Sequence, residues 1–110
     1  MLGQTCLVAI DRSKMRASIV NLLQAFGIQA KEVDRREDVH PASFAIVQCT
    51  TGCISLASSI QKQGPRCRII VLTSNSSTQT PSVVRETIEN PIFLMLPATV
   101  LPQLAVFLLS

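Results

Sequence analysis

Five short apolar runs in this chain lead up to residues that could do chemistry, or to places where such a residue is missing. The runs are Thr5–Ile10, Ile28–Val33, Phe44–Cys49, Cys67–Thr73 and Ile92–Leu96, and at or beside their C-terminal ends stand Asp11, Gln48, Thr73 and Leu96. Asp11 is a lone carboxylate that can ligate a cation, cap a helix or pair with a nearby basic residue. Gln48 is a neutral amide and a poor nucleophile. Thr73 offers a hydroxyl, or simply ends a strand, and Leu96 offers nothing polar. Phe93, three residues before Leu96, is an aromatic among apolar neighbours. In open parallel sheets the working groups gather outside the carboxyl ends of the strands, so these positions are the place to look for a site.

The other reactive groups are Cys6, Cys49, Cys53, Cys67 and the single histidine, His40. The Cys49–Cys53 pair is too isolated for a zinc pattern, and His40 is distant in sequence. Cys6, Cys49 and Cys67 lie inside apolar runs, where cysteine behaves as a small buried hydrophobe. Cys49, at the end of its run, is the thiol best placed for phosphoryl or redox chemistry.

These residues must be positioned by a core. A chain of 110 residues with 47% hydrophobic and 15% charged residues is expected to form one folded domain over residues 1–110. With no Trp or Tyr and four Phe, the core is aliphatic. The net charge of +3 comes from basic residues scattered without a block of five or more, which reads as a solvated polar face rather than a nucleic-acid footprint. No apolar stretch reaches the ~20 residues of a membrane span, and the first ten residues do not read as a signal peptide. A cytoplasmic module is expected, without direct membrane contact, and it could be the cytoplasmic part of a membrane sensor.

The runs are rich in Ile and Val with little polar alternation, the pattern of strands covered on both faces. Between them, Met15, Ile19, Leu22, Leu23 and Phe26 form one helical stripe; Asp11 or Ser13 would cap that helix and Gly27 would end it. The charged stretch from Asp34 to Val39, followed by His40-Pro41, predicts a loop or a single turn over 35–42. Cys53, Leu56, Ala57 and Ile60 predict a second helix stopped by Gly64-Pro65. A polar loop covers Ser74–Thr80, Thr80-Pro81 opens a short helix closed by Asn90-Pro91, and a last helix is expected from about Thr99 to Leu109.

In order and spacing the chain resembles the receiver domains of two-component signalling. Leu7-Val8-Ala9-Ile10-Asp11, then Arg16 and Leu22-Leu23-Gln24-Ala25-Phe26-Gly27, resemble a receiver's opening segment. The resemblance implies a three-layer, doubly wound, flavodoxin-like fold: five parallel strands in the order 2-1-3-4-5, with the first and last helices on one face and the second helix short or replaced by a loop. It also implies that one of two magnesium-holding acidic residues is replaced in Ile10-Asp11. The phospho-acceptor aspartate corresponds to Gln48, with Cys49 one residue away, and the strand-four hydroxyl to Thr73. The conserved lysine corresponds to Leu96 in Leu96-Pro97, and the switching aromatic to Phe93. A neutral amide cannot form an acyl phosphate, one carboxylate supplies too few ligands for Mg²⁺, and Leu96 cannot stabilise a transferring phosphoryl group. The reading is a pseudo-receiver in a histidine-kinase phosphorelay, not an enzyme and without a cofactor. A flavin- or cysteine-based flavodoxin-like domain is the alternative, against which stand the missing Trp and Tyr and the position of Cys6 at the start of its strand.

The expected partner is a protein: a kinase core, a receiver domain or a second copy of the chain. Of the ten residues from Val100 to Leu109 only Gln103 is polar. Leu101, Ala105 and Leu108, with Val106 and Leu109 further round, are predicted to form an exposed apolar contact surface.

Overall fold

The computed structural model describes residues 5–39, 42–73 and 79–95. The elements are β1 (Thr5–Ala9), α1 (Ser13–Ala25), β2 (Gln29–Glu32), a 3-10 turn (Arg36–Asp38), β3 (Phe44–Gln48), α2 (Thr51–Gln63), β4 (Arg68–Thr73), α3 (Pro81–Thr87) and β5 (Ile92–Met95). The strands form one sheet in the order β2-β1-β3-β4-β5, parallel at every pairing. The chain steps from β1 outward to β2, then returns past β1 to build β3, β4 and β5. Crossovers between parallel strands share one hand, so helices on either side of that reversal must cover opposite faces.

The packing follows this rule. On one face, Cys6 and Val8 of β1, Ile46 of β3 and Ile70 and Leu72 of β4 pack with Ile19 and Leu23 of α1. On the other, Leu7, Ala9, Ala45, Val47, Ile69 and Val71 pack with Ala57 and Ile60 of α2 and Val84 of α3. Successive strand residues thus alternate between two apolar layers, which is why the three central strands read as unbroken hydrophobic runs.

β2 departs from that reading. Gln29, Lys31 and Glu32 are exposed, and the buried Ile28 and Val33 flank the strand rather than belong to it. As an edge strand it pairs on one side only. At all five strands, β2 included, the observed ends lie within a residue of those expected; Leu96 is outside the described residues.

α1 also corrects two expectations. Its N-cap is Arg12, with no side-chain cap, and neither Asp11 nor Ser13 fills that role. The Asp11 carboxylate is turned instead toward the β3–α2 loop, where Thr50 donates to it. Phe26 is 37% exposed although it continues the stripe of Ile19 and Leu23. The helix ends one residue earlier, and Ile28 folds back in its place. The Ile28 N–H donates to the Leu23 carbonyl at 2.9 Å and the Gly27 N–H to that of Gln24 at 3.0 Å. This six-residue closure needs a left-handed residue, and Gly27 supplies it at φ +74°.

The charged stretch after β2 makes only the 3-10 turn. Asp38 Oδ2 accepts the N–H groups of Asp34 and Arg35 at 3.1 and 3.2 Å, folding the segment onto itself. α2 starts at Thr50, whose hydroxyl accepts the Cys53 N–H, and ends at Gly64. α3 opens with Thr80 capping Val83 and Pro81 in the first turn, as the sequence predicts. It stops at Thr87, before Asn90-Pro91; Asn90 instead turns the chain into β5 with φ +53°. The predicted last helix and most of the polar loop after β4 lie outside the described residues.

Candidate functional site

The carboxyl ends of β1, β3 and β4 bring Asp11, Gln48 and Thr73 to one end of the sheet, as the parallel register requires. Leu96 falls outside the described residues, and so do Leu101, Ala105, Val106, Leu108 and Leu109.

Gln48 is the last residue of β3 and is half-buried. Its side-chain oxygen accepts two backbone hydrogen bonds from the loop after β1, from the Asp11 N–H at 2.9 Å and the Arg12 N–H at 3.3 Å. An amide oxygen has two lone pairs, and both are engaged. Gln48 therefore bridges β3 to the start of α1, and its oxygen has no lone pair left for a cation while those bonds stand. Each bond contributes about 0.5–1.5 kcal/mol.

A second bridge lies beside the first. Thr50 Oγ1 donates to Asp11 Oδ2 at 3.2 Å and accepts the Cys53 N–H at 3.4 Å. One hydroxyl thus ties the Asp11 carboxylate to the first turn of α2. Asp11 is exposed, and its carboxylate is the single acidic group among these strand-end positions. Among the described residues, no group of three or more His, Cys, Asp or Glu side chains is placed to hold a metal ion.

Thr73 ends β4 half-buried. Phe93, on β5, packs against the α2–α3 layer, with the Arg85 guanidinium 5.1 Å from its ring centre. The ring is thus part of the core edge and lies under a cation.

The thiols near this end are poor candidates for chemistry. Cys49 is fully buried and its Sγ donates to the Gln79 carbonyl at 3.4 Å. Burial pushes the Cys53 thiol up; the nearby Asp11 carboxylate pushes the same way, and a hydrogen bond from Thr50 opposes both. A thiol held protonated is a weak nucleophile.

Three residues of this neighbourhood were not singled out from the sequence. Thr50 carried a signal, since a Thr three residues before the first buried helix position is an N-cap signature. Gln79, whose Nε2 donates to Thr51 Oγ1 at 2.9 Å, carried none. Arg16 was noted only as part of the opening segment. It ties α1 to the end of β2 through Glu32 at 3.0 Å and Asp34 at 3.5 Å, and it donates to the Ile10 carbonyl at 3.4 Å.

No protein-family model matches the chain, and no curated protein does. Solved structures do. NtrX from Brucella abortus in complex with ADP superposes with a TM-score of 0.74 at 15% identity, covering 97% of this chain and 26% of that one. The chain thus spans about a quarter of NtrX. The receiver domain of the sensor histidine kinase PA1611 from Pseudomonas aeruginosa PAO1, with magnesium coordinated in its active-site cleft, gives 0.76 at 20% identity. That match covers 96% of this chain and 94% of the other. The BeF3-activated DrrB receiver domain gives 0.73 at 17% identity, with both chains covered in full. The chain has the receiver fold.

Proposed function

We propose that this chain is a pseudo-receiver: a signalling module with the receiver fold that works through protein contacts and does not accept a phosphoryl group. The observation that carries the reading is Gln48. It stands at the carboxyl end of β3 with both lone pairs of its amide oxygen engaged by the Asp11 and Arg12 N–H groups. The nucleophile is neutral, and the oxygen that would face a cation is already bonded. The replacement of a lysine by Leu96 and of one acidic residue by Ile10 in the sequence supports the same reading. PA1611's receiver has magnesium coordinated in its active-site cleft; in this chain Gln48 and Thr50 make bridges at the carboxyl ends of the strands instead.

The module acts in a histidine-kinase phosphorelay in the cytoplasm, docking on a kinase core, a receiver domain or a second copy of itself, with the apolar segment from Leu101 to Leu109 as its contact surface. Among the described residues no helix is long and apolar enough to cross a membrane. The test is incubation with Mg²⁺ and acetyl phosphate followed by intact-mass measurement. The mass is expected to stay unchanged, and a stable phosphoryl adduct would overturn the reading.

A further inference from the structure

The opposite end of the sheet, where β4 and β5 begin and α2 and α3 end, carries two adjoining hollows of about 450 and 570 Å³. They share Gln61, Pro65 and Glu89 as a common wall. Lys62 and Arg85 stand on the first, and Arg66 and Arg68 on the second. None of these four cations forms a salt bridge among the described residues. Lys62 and Arg85 sit in the last turns of their helices, where a cation is stabilised by the unpaired carbonyls. Arg66 and Arg68, in the turn before β4 and at its first residue, gain nothing from a helix end.

The groove is also prepared for a ligand. Arg68 lies over the Phe44 ring at 5.9 Å and Arg85 over Phe93 at 5.1 Å. A guanidinium seated on a ring has already given up part of its rotamer freedom, so it binds an anion at a smaller entropic cost. The shared wall is fixed by Gln61, whose amide donates to the Glu89 carbonyl and accepts the Glu89 N–H, both at 2.7 Å. The half-buried Ile92 adds an apolar component.

We propose that this groove is a docking site for an acidic segment of another protein, with carboxylates spaced along a partly apolar peptide. The chain's own acids are poor occupants. Glu32 and Asp34 pair with Arg16, Asp38 holds its own turn with Glu37 beside it in that turn, and Asp11 accepts from Thr50. Glu86 and Glu89 stand within the groove itself, and they oppose a continuous polyanion such as a nucleic-acid backbone more than discrete carboxylates that fit between them. The proposal does not rest on the pseudo-receiver reading, because it uses the end of the sheet remote from Gln48.

The experiment measures fluorescence anisotropy of a labelled peptide repeating glutamate, leucine, glutamate and serine, titrated with the protein at low and moderate salt. Saturable, salt-sensitive binding is expected. It should weaken at least ~10-fold, or ~1.4 kcal/mol, in the Lys62→Glu/Arg66→Glu variant, which leaves both stacked arginines in place. An Arg12→Glu/Lys14→Glu variant, with the same change in net charge on exposed positions, should bind as the unaltered protein does. Circular dichroism confirms that both variants fold. Absence of peptide binding, an equal loss in both variants, or tighter binding of a single-stranded oligonucleotide would overturn the proposal. A phosphoryl adduct in the mass measurement would overturn the pseudo-receiver reading and leave this one standing.

Discussion

Two glutamines hold the two ends of this sheet, and they do it differently. At the carboxyl end, among the described residues, Gln48 uses only its oxygen, accepting two N–H groups from the loop after β1. At the amino end Gln61 uses both halves of its amide, giving one hydrogen bond to the backbone of Glu89 and taking one from it. A group that only accepts can be replaced by a carboxylate without losing a partner. A group that donates and accepts cannot. The carboxyl end is therefore compatible with a carboxylate at position 48, whereas the amino end depends on the amide itself.

The largest expected effect is at the amino end. Cys6, in β1, and Cys67, just before β4, are buried there. Burial is the main cause that pushes the Cys6 thiol up to about 12, and it raises Cys67 to about 11. The unfolded chain ionises these thiols near their ordinary value of 9.0, while the folded chain keeps them protonated. Stability is thus complete below about pH 9 and falls as pH rises toward 11 and 12, since the native state binds more protons across that window. Urea unfolding followed from pH 8 to 11 should show the midpoint dropping, and Cys6→Ala/Cys67→Ala should flatten the drop. A flat profile in the unaltered protein would contradict the burial of these thiols.

Next in size is Gln61→Glu. It removes the donor to the Glu89 carbonyl and sets two oxygens against each other, at a cost of about 0.5–1.5 kcal/mol because the site is exposed. Chemical denaturation at neutral pH measures it, and a neutral result would mean that the wall between the two hollows does not depend on this bridge. The smallest effect is expected for Gln48→Glu, which keeps both N–H partners. It should lie within about 1 kcal/mol of the unaltered protein, the gain from charge-assisted bonds being offset by the exposed Asp11 carboxylate. The comparison sharpens if Mg²⁺ raises the melting temperature of Gln48→Glu and not that of the unaltered protein, because the substitution sets a second carboxylate at the strand ends beside Asp11. A loss as large as that of Gln61→Glu would erase the difference between the ends.

The order of elements was legible because each central strand had to be apolar on two faces and each helix on one, while the strand order followed from the resemblance to receivers rather than from any local pattern. Gly27 and Thr80-Pro81 were legible for the same local reasons that make them work, a left-handed turn and a preset first helical turn. The Asp34–Val39 stretch was legible as a single turn from its charge and the following proline. β2 was placed within a residue at each end, but its burial on both faces was misread, because the buried Ile28 and Val33 flank an edge strand that packs little. The cap of α1 was misread because Asp11 had a better partner in Thr50, 39 residues away. The same holds for Gln48 with Asp11 and for Gln61 with Glu89, pairs 37 and 28 residues apart. Hydrophobic period and capping rules report neighbours along the chain. A bridge between two loops depends on the register of the strands beneath them, which no local pattern encodes.

The polar character of β2 has a consequence for how the protein behaves at high concentration. β2 lies at the border of the sheet, and its backbone faces a strand on one side only. A foreign strand adding there would have to desolvate the charges of Lys31 and Glu32 and break the hold of Arg16 on Glu32. Charged border strands of this sort resist growth into ordered aggregates. The residues that look least useful for the core thus protect solubility, and Lys31→Val is the change that would put it at risk.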